Sequence, residues 1–142
     1  MKAGKYILWI GVLLSGYTMA QVKKASPQTG VHFLNTDWKH VLIMAKQMHK
    51  PIFVDAYASW CVPCQEMRQT TFKDLRVSTR FNARYINVAV DADKGPGKLF
   101  ADYYQVTNYP TLLFINEDGQ LIKRIEGFTD AEQLSAVADN IK

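Results

Sequence analysis

The sequence holds only two cysteines, both in the segment Cys61-Val62-Pro63-Cys64. That scarcity excludes a scaffold stapled by disulfides, which needs several pairs spread along the chain. A bridge closing so short a loop would stabilise little, because the entropic gain grows with loop length. Long apolar runs are missing as well. The stretch Tyr6 to Leu14 is broken by Ser15, Gly16 and Thr18, whereas a membrane-spanning helix needs about 18 or more consecutive apolar residues. A strong charge excess is also absent, with 17 Lys and Arg against 13 Asp and Glu. The basic residues are scattered, without a stripe interleaved with aromatics, and this excludes nucleic acid as a partner. There is no internal repeat and no low-complexity tract. At 142 residues, 48% of them apolar, the chain has material for one globular domain and no room for a second.

What is present at the start is the pattern of an export signal. Lys2 and Lys5 precede the apolar run, and the small-residue ending Thr18-Met19-Ala20 follows it. Residues 1–20 are therefore expected to be a signal peptide cleaved near Ala20, and the protein to be exported, to a periplasm. No cysteine follows the run where lipid attachment would require one. Residues 21–30, polar and turn-rich, are expected to form a flexible lead, and residues 31–142 the folded domain.

Within that domain, Asn35-Thr36-Asp37 offer capping side chains ahead of Trp38, Val41, Leu42, Ala45 and Met48, which recur at helical spacing and predict a helix ending near His49-Lys50-Pro51. Ile52 to Ala58 is short, apolar and β-prone, with one acid in its middle, and reads as a buried central strand. Helices are expected from about Val62 to Thr71 and from Leu75 to Asn82. A strand at Tyr85 to Val90, a loop to Gly97 and a helix from about Lys98 to Tyr104 follow. Strands alternating with helices predict parallel pairing in this half. Thr111 to Ile115 and Leu121 to Glu126, joined by Asn116-Glu117-Asp118-Gly119, read as a β-hairpin. A last helix runs from about Asp130 to Ile141, and Val31 to Leu34 is a candidate short strand.

The cysteines fall where the central strand gives way to a helix. There, free backbone N–H groups and the helix dipole favour a thiolate on the first cysteine, which makes Cys61 the expected nucleophile. Cys64, one turn further in, is placed to attack a mixed disulfide formed on Cys61 and so to act as the resolving thiol. A zinc site is disfavoured, since two thiolates supply half of a tetrahedral shell and His32, His40 and His49 lie far upstream. Copper(I) stays open, because Cys61, Cys64 and Met67 are soft ligands. Asp55 stands out because an acid inside an apolar strand carries a desolvation cost that needs a reason.

Val54-Asp55-Ala56-Tyr57-Ala58-Ser59-Trp60-Cys61-Val62-Pro63-Cys64 resembles the active-site segment of the thioredoxin superfamily, Val-Asp-Phe-Trp-Ala-x-Trp-Cys-Gly-Pro-Cys. Tyr109-Pro110-Thr111-Leu112-Leu113-Phe114 resembles that family's cis-proline strand, and Gly127 falls where thioredoxins carry a glycine after the hairpin. The opening helix, Met67 and Thr71-Phe72-Lys73-Asp74 look most like exported disulfide-reductase domains of the Dsb type. Two positions depart from the pattern: Val62 replaces a glycine, and Asn87 stands in place of a lysine that thioredoxins pair with their buried aspartate.

The resemblance implies an α/β thioredoxin fold, a central mixed β-sheet flanked by helices. It implies that Asp55 transfers a proton with Cys64, that Tyr109–Pro110 is cis, and that Trp60, Tyr109 and Pro110 contact substrate. The expected function is a thiol–disulfide oxidoreductase that reduces disulfide-containing client proteins outside the cytoplasm. It would work as a monomer, without cofactor or metal, drawing on a membrane or exported electron donor. An oxidase or isomerase, a copper(I) carrier using the same cysteines, and a non-catalytic interaction domain are the alternatives.

Overall fold

The computed structural model of the protein describes residues 29–141. The expected signal peptide, and the lead as far as residue 28, lie outside the described residues. Asp37 caps the first helix, α1 (Trp38–Met48), by accepting a hydrogen bond from His40 N, and His49 closes it in the left-handed conformation at φ 50°. The central strand β1 (Ile52–Tyr57) follows, then α2 (Val62–Gln69), a 3-10 turn (Thr71–Lys73) and α3 (Leu75–Arg84). Strand β2 (Ile86–Asp91) and helix α4 (Pro96–Tyr104) come next, before the hairpin of β3 (Thr111–Ile115) and β4 (Leu121–Glu126) and the final helix α5 (Ala131–Asp139).

The sheet has the order β2-β1-β3-β4. β1 and β2 run parallel, as a crossover through α2 and α3 requires, while β3 is antiparallel to both β1 and β4. The expected mixed sheet with flanking helices is therefore what forms. Helix ends move by about two residues, and two further shifts have a visible cause. Helix α4 starts two residues early, because Pro96 suits a first helical turn where its missing N–H costs nothing. Gly97 lets that turn lie against β2, since a Cβ there would sit 2.0 Å from Asp91 O. Val31 to Leu34 makes one parallel bridge, Leu34 to Val88, rather than a strand of its own. The packed body already includes Gly30, which is buried and whose carbonyl accepts a hydrogen bond from Asn82 Nδ2 at 3.1 Å.

Because successive strand residues point to opposite faces, β1 divides its side chains between two cores. Ile52, Val54 and Ala56 join Val41 and Ala45 of α1 and Phe100 and Tyr104 of α4. Phe53 joins Met67 of α2, Phe81 of α3, Phe114 of β3 and Leu134 of α5. Asp55 shares the parity of Phe53 and so faces the α2 side of the sheet. The α5 end of this layer is held by a capping box: Asp130 accepts from Gln133 N while the Gln133 side chain accepts from Asp130 N. Asp130→Ala is expected to cost about 1 kcal/mol of stability, read as a lower midpoint in urea unfolding. An unchanged midpoint would mean that the box contributes nothing.

Candidate active site

The chain leaves β1 at Tyr57 and turns through Ala58-Ser59-Trp60, with Cys61 N donating to Ala58 O at 3.1 Å. This turn delivers Cys61 in an extended conformation to the N-cap of α2. Pro63 occupies the first helical turn, where it takes away a donor that would otherwise need a partner. Cys64 N, still free of a helical carbonyl, donates to Cys61 Sγ at 3.2 Å. Cys61 and Cys64 are joined as a disulfide with their Cα atoms 5.3 Å apart. Both cysteines are buried with Ala58, and Tyr57 and Tyr109 pack against this small cluster. A sulfur at a helix N-cap lies in the field of unpaired N–H dipoles, which favours the thiolate over the thiol once the bridge is open.

The rim is aromatic. Trp60 is 65% exposed, so it is not a core residue. Its Nε1 donates to Asp93 Oδ2 at 3.0 Å, and its ring meets Tyr109 edge-on at 5.8 Å between centroids. Tyr109–Pro110 is a cis peptide bond, Pro110 is buried, and Pro110 O accepts from Gly127 N at 2.8 Å. Among the described residues the Tyr109 main chain has no main-chain hydrogen-bond partner. Burial, followed by the charges of Asp93 and Asp91, pushes the Tyr109 phenol up from its ordinary pKa. Val62 is exposed beside the cysteines, so its isopropyl group adds apolar surface to the rim.

Asp55 is 1% exposed, and neither of its carboxylate oxygens has a hydrogen-bond partner among the described residues. Desolvation therefore dominates and raises its pKa from 3.8 to about 6, while the charge of Arg68 pulls the other way. Arg68 Nη2 lies 3.5 Å from Asp55 Oδ2, near enough for charge attraction and too long for a strong hydrogen bond. The guanidinium carbon stacks 3.6 Å above the centre of the Tyr57 ring. Asn87 shares the Asp55 face of the sheet but turns to α3, where Nδ2 donates to Phe81 O at 3.3 Å and Asn82 Oδ1 at 3.2 Å. The cation beside the buried acid thus comes from α2, not from β2.

All the site residues expected from the sequence lie at this end of the sheet. The structure adds Arg68 and Asp93. Arg68 had a signal, since it follows Cys64 by four residues and so shares its face of α2; Asp93, in an irregular loop, had none. Met67 is fully buried in the aromatic core with Phe53 and Phe81, and belongs to a different cluster from the two sulfurs. Among the described residues no three or more of His, Cys, Asp and Glu come together as a metal site.

Residues 38–142 match the family model of the thioredoxin-like domain. The chain is 33% identical over 95 residues to the thiol:disulfide interchange protein DsbD of Haemophilus influenzae, an alignment that covers 65% of this chain and 16% of that protein. The chain thus corresponds to about one sixth of that relative. A solution structure of a proposed disulphide-isomerase from Bacteroides thetaiotaomicron superposes with a TM-score of 0.70 at 33% identity, covering 80% of this chain and 97% of that one. The C-terminal domain of Neisseria meningitidis DsbD, in its oxidised form, has the same fold, with a TM-score of 0.62 at 23% identity over 73% of this chain and 92% of that one. With a family match over most of its described length and the fold to go with it, the chain belongs to the thioredoxin-like domain family.

Proposed function

We propose that this protein is an exported thiol–disulfide oxidoreductase that reduces disulfides in client proteins by means of Cys61 and Cys64. The observation that carries this reading is the Cys61–Cys64 disulfide at the N-cap of α2, beside the cis Tyr109–Pro110 bond and under an exposed aromatic rim. In the reduced protein the Cys61 thiolate attacks a client disulfide, forms a mixed disulfide and expels one client sulfur as a thiolate. Cys64 then gives its proton to the Asp55 carboxylate and attacks Cys61 Sγ. The Cys61–Cys64 bridge closes and the second client sulfur leaves. The client gains two electrons and the protein loses two, so each cycle needs a dithiol donor, in the membrane or exported. Trp60 and the Tyr109 main chain would hold an extended client segment by β-type pairing and stacking. Residues 1–20 would direct export and be removed.

The direction of transfer rests on the likeness to disulfide-reductase domains, and the Bacteroides relative makes isomerisation the competing outcome. The copper(I) reading loses its third soft ligand, because Met67 is committed to the core. Two measurements test the proposal together: dithiothreitol-driven reduction of insulin, and the reduction potential of the pair. Turnover of insulin with a potential near the reducing end of the range, about −270 mV, is expected. A potential near about −120 mV would make the protein an oxidant, and tight one-to-one copper(I) binding without insulin turnover would make it a carrier.

A further inference from the structure

We propose that Arg68 is the counter-cation that sets the proton affinity of Asp55, a positioning residue for the proton step. This rests on the reading that Asp55 exchanges a proton with Cys64. Among the described residues Arg68 is the sole cation within 4.0 Å of the Asp55 carboxylate. Beside Asp55 in the sheet, the strand neighbours are uncharged. β2 presents Ala89 directly beside it and Asn87 two residues away, and β3 presents Leu112. Asn87 is uncharged and already bonded to α3, so it cannot replace the lysine that the family pattern would put there. Lys73 of the 3-10 turn lines the same groove as Arg68 but makes no ion pair with Asp55.

Three features make Arg68 suited to this role. It shares the face of α2 with Cys64, one turn away, so the cation and the resolving thiol converge on the same stretch of β1. Its side chain is 38% exposed while Asp55 is sealed at 1%, so the guanidinium sits between the carboxyl and solvent. Its planar group is held by the Tyr57 ring at 3.6 Å, which fixes the charge without using up its donors. A groove of about 370 Å³ opens beside the guanidinium, lined by Arg68, Tyr57, Gly30, Phe33, Phe72 and Ala89. With the guanidinium 3.5 Å from the carboxylate, a change in that charge is felt directly by the Asp55 proton.

The test follows the Asp55 carboxyl signal by carbon-detected NMR against pH in the oxidised protein, where no thiol titrates. Arg68→Gln is expected to raise the titration midpoint by about 1 unit, because an opposite charge at this distance stabilises the carboxylate. Arg68→Lys should stay close to the parent, and Tyr57→Leu, which frees the guanidinium, should fall between. In the reduced protein the acid limb of the pH profile for mixed-disulfide resolution should move up with the midpoint in Arg68→Gln. An unchanged midpoint in Arg68→Gln overturns the proposal; should that variant not fold, an unchanged midpoint in Tyr57→Leu overturns it. If the midpoint moves with Arg68 but insulin is never reduced, the charge pairing stands and the proposed function falls.

Discussion

Cys61→Ser should abolish disulfide reduction, and Cys64→Ser should convert the protein into a trap that accumulates covalent client adducts. The asymmetry follows from the helix N terminus. Cys61 sits at the N-cap and its sulfur receives the Cys64 N–H, so it is the thiol most easily held as a thiolate and the better attacker. Cys64 lies inside the first turn, and its role begins once a mixed disulfide has placed a sulfur next to it. Without Cys64 the first step still runs and the second cannot. Non-reducing gels and mass spectrometry of adducts formed in an extract of exported proteins would read this out. Trapping by Cys61→Ser in place of Cys64→Ser would reverse the roles. In a trapped adduct the Tyr109 amide should gain protection from hydrogen exchange as it pairs with the client main chain; an unprotected amide would remove Tyr109 from the docking surface.

The second large effect concerns Asp55. Its pKa in the folded protein is raised from 3.8 to about 6 by burial, so the folded state holds a proton that the unfolded chain would release. The contribution of this group to stability is therefore fully present below about pH 4 and is lost as pH rises toward and through about 6. Integrated over that shift, the native protein loses about 2 to 3 kcal/mol between about pH 4 and about pH 8 from this one carboxyl. Asp55→Asn removes the ionisation, so the variant should gain about that much relative to the parent across the same interval. Urea unfolding of both oxidised proteins at the two pH values measures it, and parallel pH dependences would show that Asp55 is not the buried acid described here. The same variant should slow mixed-disulfide resolution at neutral pH, on the order of 10²-fold, as loss of a general base does. A more stable but slower protein is the combined expectation.

Much of this was legible along the chain because it is local. Asp37 before Trp38 marks a helix start by capping chemistry acting over three residues, and in the structure Asp74 and Asp130 cap α3 and α5 in the same way. The alternation through Ile52, Phe53, Val54 and Asp55 places the acid on one face of a buried strand without any knowledge of what lies opposite. The cysteine spacing and the strand-to-helix junction likewise define a reactive pair. Of the two boundaries that moved for a visible reason, one had a cause close in sequence and the other depended on a contact remote in sequence. Helix α4 could begin at Pro96 because Gly97 lies against Asp91, and Val31 to Leu34 stopped at one bridge to Val88.

The sequence by itself determined the order of elements, the reactive cysteine pair and the presence of an acid in an apolar strand, since each depends on spacing within a few residues, while the thioredoxin fold was implied by resemblance. Only the tertiary structure decided what surrounds that acid and that pair. It took Asn87 to the backbone of α3, brought Arg68 to Asp55, laid the guanidinium on Tyr57 and tied Trp60 to Asp93 and Tyr109. It also committed Met67 to the aromatic core. These pairings join residues on separate elements, and charge and ring interactions act through distances in space that residue spacing does not encode.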